Sequence, residues 1–401
     1  MGRIEADIAV IGAGPSGLIS AREASLRGVE VVVFEEHGEV GLPCHCAGLL
    51  SIKGLREINV PLNGSFVLNR VRGARFFSPS KLSFSIERKE HIACVVNRHI
   101  FDLFLAEQAS RSGATIKLNS RVKRSRRCGS RWILDTDGEA AAKILIDAEG
   151  AASRILSMIG LKTLDKSRLL SGLQVDLEGV DLDPDYVEVY FSNKLAPGLF
   201  AWVIPLGEDS ARVGLACRGS DVRMRLYKFI KKRFGEDFEN KMRILKFYSG
   251  PVITQGAIKR TYGDGLLVVG DSAGQVKPIS GGGVIFGGIC ASIAGEVASK
   301  AIIESNTSES FLKTYEVKWR EKIGKELRTA LFVRRMLDRL SDRNLDKVFS
   351  IIIEKEIYRD LTEGEMDFHG TLIMKTARRR LLSFFPVAVK AMITRLIMLG
   401  E

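Results

Sequence analysis

Gly12-x-Gly14-x-x-Gly17, with Ser16 inside it and Glu35 beyond it, is the group of residues whose types and spacing speak most directly of chemistry. Glycines so placed suit a turn that holds a pyrophosphate. Gly12 permits the tight turn, Gly14 lets the backbone approach phosphate, and Gly17 lets the next helix pack close to the strand. The run from Ile8 feeds this turn, a helical stretch (Leu18 to Leu26) leaves it, and Val29 to Phe34 ends at Glu35. The helix N-terminus takes the phosphates, and Glu35 accepts from a ribose hydroxyl. An ordinary glycine-rich strand-to-helix turn would not need the terminal acid.

A second such place lies far along the chain. Leu266 to Gly270 reads as a buried strand ending at Asp271, and Pro278-Ile-Ser-Gly-Gly-Gly283 opens a helix from about Val284 to Ile303. An acid at that strand end can hold a ribitol hydroxyl. A helix that starts at Gly282 and Gly283 aims its positive end at a flavin pyrimidine edge, where negative charge grows on reduction.

The elements that must position these residues follow from periodicity. Residues 66–97 alternate apolar and polar side chains (Val71 to Phe77, Leu82 to Ile86, Ile92 to Val96) and predict antiparallel strands. Phe101 to Ala109 predicts an amphipathic helix. Ala114 to Leu118, Arg131 to Asp135 and Lys143 to Asp147 predict strands that return to the first sheet. Residues 170–217 give more alternating strands, and the pattern from Ser310 onward is helical. The fold class is therefore α/β (α+β overall). A Rossmann-like nucleotide domain (1–65, 98–165 and 251–305) is interrupted by a β-rich substrate domain (66–97 and 166–250). A helical region (306–401) closes the chain.

The 401 residues allow a large core and two or three domains. The formal charge of +12 is partly local, with Arg121, Lys123, Arg124, Arg126, Arg127 and Arg131 on one hairpin. A second cluster, including Lys375, Arg378, Arg379, Arg380, Lys390 and Arg395, lies near the end. No nucleic-acid module is visible, so anionic lipid or substrate ranks above DNA or RNA. The six cysteines are scattered apart from Cys44-His45-Cys46, which is no secreted disulfide framework. That trio lacks two further ligands at metal spacing, so no metal is expected, and a Cys44–Cys46 disulfide would be strained. His37, His91, His99 and His369 are isolated and need no functional reading. No leader precedes the first strand and no uncharged stretch reaches the roughly 20 residues of a spanning helix. A cytoplasmic location is expected. The apolar tail from Leu381 to Leu399, with its basic lead-in, resembles an interfacial helix on the anionic inner membrane face; packing on the protein body is the alternative.

Gly12-x-Gly14-x-x-Gly17, Asp147-Ala-Glu-Gly150 with Ser153, and Gly265 to Asp271 together resemble the flavoprotein superfamily of the aromatic hydroxylases. Within it the chain is similar to the geranylgeranyl reductase family, in particular its archaeal branch acting on digeranylgeranylglycerophospholipids. Gly41-x-Pro43-x-x-Cys46, Arg98-x-x-Phe101-Asp102, Asp183-Pro-Asp-Tyr186, Phe200-Ala-Trp-Val-Ile-Pro205 and Pro278-x-x-Gly-Gly-Gly283 carry the likeness, in order, over residues 1 to about 300. Beyond that the resemblance is only weakly helical. It implies FAD in the first domain and a lipid tunnel beside the β-rich one. By position, Ser16 and Glu35 correspond to phosphate and ribose contacts. Cys46, Ala47 and Leu49 fall on the loop passing the flavin, and Arg98 matches the arginine that reaches ribitol and pyrophosphate. Val122 matches a backbone contact to adenine; Asp271, Gly283 and Val284 match contacts at ribitol and isoalloxazine. Three positions depart from the pattern. Glu149 replaces Asp and keeps a carboxylate. Phe200 replaces a frequent Tyr, and Leu206 a common Lys, both near the substrate end.

The activity so implied is hydrogenation of isolated trisubstituted alkenes on geranylgeranyl chains of an ether-lipid precursor. No carbonyl polarises such a bond, so geometry carries much of the catalysis while the flavin supplies the redox chemistry. Trp202, Phe200, Pro205 and Phe286 are lining candidates on the substrate side, with plain core packing as the other reading. Cys46 is the catalytic candidate, as proton donor or as a group holding the substrate side of the ring. The alternatives are a small apolar side chain, or a backbone contact with an incidental thiol. No second G-x-G-x-x-G follows a strand, so electrons are expected from a docking donor: ferredoxin, a reduced deazaflavin or NAD(P)H. Competing readings are a same-family reductase of a quinone tail or prenyl diphosphate, and a flavin monooxygenase or halogenase. The string around Trp202 partly matches the halogenase Trp-x-Trp-x-Ile-Pro but lacks its first Trp. A non-enzymatic electron-transfer partner is the last, against which the scattered cysteines argue.

Overall fold

The computed structural model describes residues 3–380. The apolar tail singled out above lies outside the described residues. The chain opens with β1 (Ile4–Ile11), α1 (Pro15–Ser25) and β2 (Val31–Phe34). β3 (Leu49–Ser51), α2 (Ile52–Glu57), β4 (Val67–Val71), β5 (Gly73–Phe77), β6 (Ser83–Glu87) and β7 (Ala93–Val96) follow. Next come α3 (Arg98–Arg111), β8 (Thr115–Lys117), β9 (Arg124–Cys128), β10 (Arg131–Asp135), β11 (Glu139–Asp147) and α4 (Arg154–Met158). The middle of the chain holds β12 (Leu170–Glu178), β13 (Tyr186–Tyr190), β14 (Ala201–Pro205), β15 (Ser210–Cys217), α5 (Val222–Phe234), α6 (Phe238–Lys241) and β16 (Arg243–Val252). β17 (Tyr262–Gly263), β18 (Leu266–Val268) and α7 (Val284–Ile303) precede the helices α8 (Glu309–Trp319), α9 (Lys325–Leu337), α10 (Asp342–Glu354), α11 (Ile357–Thr362) and α12 (His369–Arg379).

The first sheet runs β17-β18-β11-β1-β2-β8, with the β9–β10 hairpin joined to β11. Its centre is parallel: β1 pairs with β11 and with β2, and β11 with β18. Strands at the centre of such a sheet are covered on both faces, which explains why the second half of β1, from Ile8 to Ile11, and all of β2 read as continuous apolar runs. α1 starts on Pro15, whose fixed φ suits a first helical position. Asn97 caps α3 by accepting from the His99 and Ile100 amides at 3.1 and 3.3 Å. α1, α3 and α7 pack into one core with the inner faces of β1 and β2. α7 has the length and hydropathy of a membrane span, but 72% of its most apolar window is buried in the protein; it is a core helix.

The second sheet runs β16-β12-β15-β14-β13-β5-β6 and is antiparallel except where β13 meets β5. A small sheet, β3-β7-β4, lies in the connection between the two. Residues 66–97 therefore split between two sheets, with β4 and β7 in the small one and β5 and β6 in the large one. Alternation marks a half-buried strand but not its partner, so the sequence pattern does not separate these destinations. α10 and α11 pack on β6.

Candidate active site

The turn between β1 and α1 is closed by backbone contact. A Cβ on Gly17 would lie 1.9 Å from the Gly12 carbonyl oxygen, and Gly12 itself sits at φ +97° with the Ala148 oxygen 2.6 Å from a built Cβ. Any side chain here forces β1, α1 and the end of β11 apart. A Cβ on Gly14, by contrast, meets nothing within 4 Å, because that glycine faces a cavity. Glu35, at the end of β2, accepts from the Ala13 amide at 2.8 Å and from the His37 amide and ring at 3.0 and 2.6 Å.

The cavity has a volume of about 1160 Å³. One end is walled by Gly12, Gly14, Ser16, Glu35 and Val122. Arg98, Asp271, Gly282, Gly283 and Val284 continue the wall, and Cys46 and Ala47, on the loop before β3, cross it with Leu49 at the start of that strand. Residues far apart in the chain thus meet because β1, β11 and β18 are neighbours whose ends face the same way.

Arg98 and Asp102 form a bidentate pair one helical turn apart, with contacts of 3.0 to 3.1 Å. Burial works against the Arg98 charge, but Asp102 and the Cys46 and Cys44 sulfurs outweigh it, so the guanidinium stays charged. Asp271 is deep, burial pushes its carboxyl above the ordinary range, and Arg98 offsets this in part. Among the described residues no group donates a hydrogen bond to that carboxylate. Asp147 is buried too, with one oxygen unpaired, and burial and then Glu149 raise its pKa. Glu149 accepts from the Arg154 and Ile155 amides at 3.1 and 2.8 Å at the start of α4.

A flavin dinucleotide fits this donor set. The open space over Gly14 would take pyrophosphate, and the unpaired Asp271 carboxylate would take a ribitol hydroxyl. Val284, at the positive end of α7, would face the pyrimidine edge.

The large sheet holds the Cys46 loop from beneath. Arg212 of β15 donates to the Ala47 carbonyl at 3.0 Å and pairs with Asp176 of β12 at 2.7 and 2.9 Å. Tyr248 of β16 donates to the same carboxylate at 2.9 Å. The Cys46 sulfur accepts from the Gly48 amide at 3.4 Å. Burial pushes the neighbouring Cys44 thiol up.

The other end of the cavity is apolar. Phe200, just before β14, and Trp202 and Ile204, on one face of β14, line it. Pro205 has the opposite parity and does not; it is buried behind the sheet, and its carbonyl accepts from Asn69 at 3.2 Å. Phe286 is not a wall residue either. It is fully buried in the core, edge-on to Phe368 at 6.0 Å. Sequence reasoning also missed the opposite wall. Met336, Leu340, Val348, Phe349, Ile352 and Leu372, from α9 to α12, face the sheet across the cavity. Phe349 packs on Phe84 of β6 at 5.2 Å and on Phe191 at 6.0 Å. Phe332 lines the cavity yet is 53% exposed, so it stands at a mouth. The histidines are also not isolated. His37 and His99 contact Glu35 and Glu39, His91 lies 3.7 Å from Asp185, and His369 lines the cavity. No metal cluster occurs among the described residues.

Residues 169–252, which carry β12 to β16 of the large sheet with α5 and α6, match the model of the geranylgeranyl reductase catalytic domain. Residues 10–71 match that of an NAD(P)-binding Rossmann-like domain. Over 349 residues the chain is 36% identical to the digeranylgeranylglycerophospholipid reductase of Methanocaldococcus jannaschii, covering 85% of this chain and 88% of that protein. The chain belongs to the geranylgeranyl reductase family. A second relative, digeranylgeranylglycerophospholipid reductase 2 of Methanopyrus kandleri, is 32% identical over 90% of this chain and 94% of its own. A crystal structure of a geranylgeranyl bacteriochlorophyll reductase-like protein from Thermoplasma acidophilum superposes with a TM-score of 0.84 at 26% identity, covering 94% of this chain and 96% of that one. The flavin-dependent brominase Bmp2 (TM-score 0.69, 17% identity, 94% and 99% covered) shares the fold alone with this member of the reductase family.

Proposed function

We propose that this chain is an FAD-dependent reductase that saturates isolated double bonds of geranylgeranyl chains on an ether-lipid precursor. The observation that carries this reading is the single cavity. A glycine-built dinucleotide cradle forms one end and an aromatic and aliphatic slot forms the other. The curated relatives named above act on a lipid of that kind. Bound flavin would supply hydride to one alkene carbon, and the other carbon needs a proton.

The chain's own residues do the rest. Gly12, Gly14, Ser16 and Glu35 hold the dinucleotide, and Asp271 and Arg98 orient its middle. Phe200 and Trp202 on one side, and Phe349 and Ile352 on the other, hold the prenyl chain extended and exclude water. Cys46 lies on the loop between the two ends, lines the cavity, and is the proton donor in this reading. Arg212 fixes that loop through the Ala47 carbonyl. Reducing equivalents come from a docking donor (ferredoxin, a reduced deazaflavin or NAD(P)H), since the chain carries one dinucleotide motif.

Anaerobic incubation of the reduced, FAD-loaded protein with digeranylgeranyl ether phospholipid, followed by mass spectrometry, tests the reading. Each turnover adds the mass of two hydrogen atoms to the lipid. An unchanged lipid mass with fully reduced protein refutes it. Prenyl quinone and prenyl diphosphate, offered in parallel, separate this substrate from the other tails the family fold accommodates.

A further inference from the structure

Next to the start of α7 lies a buried ion pair that the reductase reading does not use. Lys277 Nζ contacts Asp367 Oδ1 at 2.8 Å, and the two side chains are 10% and 9% exposed. Lys277 belongs to the glycine turn: its amide donates to the Gly282 carbonyl at 3.1 Å, and its carbonyl accepts from the Gly281 amide at 2.8 Å. Its ammonium lies along that turn, since a Cβ built on Gly282 would be 2.9 Å from Lys277 Cε and 3.5 Å from Nζ. Asp367 comes from the other side, in the segment between α11 and α12. It also accepts from the Ser51 hydroxyl, which caps α2. Lys277 and His369 both line the cavity.

Burial would raise the Asp367 carboxyl, but Lys277 and Ser51 hold it below its ordinary value. These contacts favour the carboxylate form of Asp367. Lys277 lines the cavity and Asp367 does not, so the ammonium is the end of the pair that faces it. With the ammonium at the wall and the carboxylate behind it, the pair adds to the positive end of α7. In a water-poor site such fixed charges act strongly on any charge that develops beside them.

We propose that Lys277, held in place by Asp367, sets how readily the bound flavin takes up electrons: the ammonium favours the reduced form and the carboxylate moderates that preference. This inference rests on the reading that the two glycine turns hold FAD. It also makes the coenzyme's redox poise depend on the C-terminal region, which supplies the counter-charge.

The test uses FAD-loaded full-length wild type, Lys277→Met, Lys277→Arg and Asp367→Asn. Bound flavin is measured first by absorbance, and each protein is then equilibrated anaerobically against a redox dye. In Lys277→Met the ratio of reduced to oxidised flavin at a fixed ambient potential falls about tenfold, which is roughly 30 mV for a two-electron couple. Lys277→Arg keeps the charge and the wild-type ratio. Asp367→Asn removes a negative charge and raises the ratio. Equal ratios in wild type and Lys277→Met overturn the proposal, as does a shift of both charge-removing variants in one direction, which is the mark of a structural role. Should Lys277→Met fail to hold flavin, an unshifted or lowered Asp367→Asn overturns it. A wild type that takes up no flavin refutes the FAD reading itself.

Discussion

At the coenzyme end of the cavity, Gly12, Gly17 and Ala148 meet backbone to backbone. At the lipid end, α9 to α12 approach the large sheet through side chains such as Phe349 against Phe84. The first surface is polar, short-range in sequence at each turn, and intolerant of a single added carbon. The second is apolar and assembled from residues more than two hundred positions apart, and any large hydrophobic residue of suitable shape maintains it. In the function proposed above, the first end selects the coenzyme and the second accommodates hydrocarbon. Substitutions should therefore divide by region: those at the cradle empty the site of flavin, while those in the slot change turnover with the flavin still bound.

Gly17→Val is the severest break. A side chain with its Cβ 1.9 Å from the Gly12 oxygen must move the strand or the helix. Bound flavin should fall below roughly a tenth of wild type, with activity lost alongside it, as read by absorbance of the purified protein. Cys46→Ala comes next and separates the two properties. Lipid turnover should drop by at least about a hundredfold while flavin content stays at the wild-type level. Full turnover in this variant removes the thiol from the chemistry.

Ile352→Trp fills the slot from the α10 side, far from the cradle. It should lower kcat/KM for the prenyl lipid by about tenfold, or ~1.4 kcal/mol, with the flavin spectrum unchanged. If it empties flavin instead, the two ends are one cooperative unit and the regional contrast fails.

A separate effect, on stability and not on turnover, concerns pH. His369 titrates at about 4 in the folded protein against an ordinary 6.5. Below pH 6.5 the unfolded chain takes up a proton that the folded chain refuses, so stability is lost as pH falls from that value toward 4. The loss from this group reaches about 3 kcal/mol at most. Thermal melts of wild type and His369→Gln at neutral and mildly acidic pH should show the variant declining less steeply.

The cradle was legible because its signals are local. Gly12, Gly14, Gly17 and Glu35 sit within one strand–turn–strand unit, and Asp271 with Gly282 and Gly283 marks the second turn by the same logic. The helix from Val284 to Ile303 lies where its pattern predicts. The lipid wall was not legible, and the reason is physical. A leucine facing a ligand slot and one facing a core have the same periodicity, so Met336, Val348 and Ile352 read simply as an amphipathic helix interior. The opposite error occurred at Phe286, an aromatic beside the second glycine turn that belongs to the core. Strand parity would have removed Pro205, because only Phe200, Trp202 and Ile204 share a face. His369 and Asp367 gave no signal because their partner, Lys277, is ninety positions away.

Direct transfer requires that one cavity bring a flavin and a prenyl chain together. Anaerobic mixing of the chemically reduced holoprotein with unsaturated ether lipid, followed at the oxidised flavin's visible band, tests it most directly. The yellow colour should return with unsaturated lipid, should not return with the fully saturated lipid, and should return more slowly in Ile352→Trp. A reduced flavin that stays colourless with the unsaturated chain, or reoxidises equally with the saturated one, contradicts it.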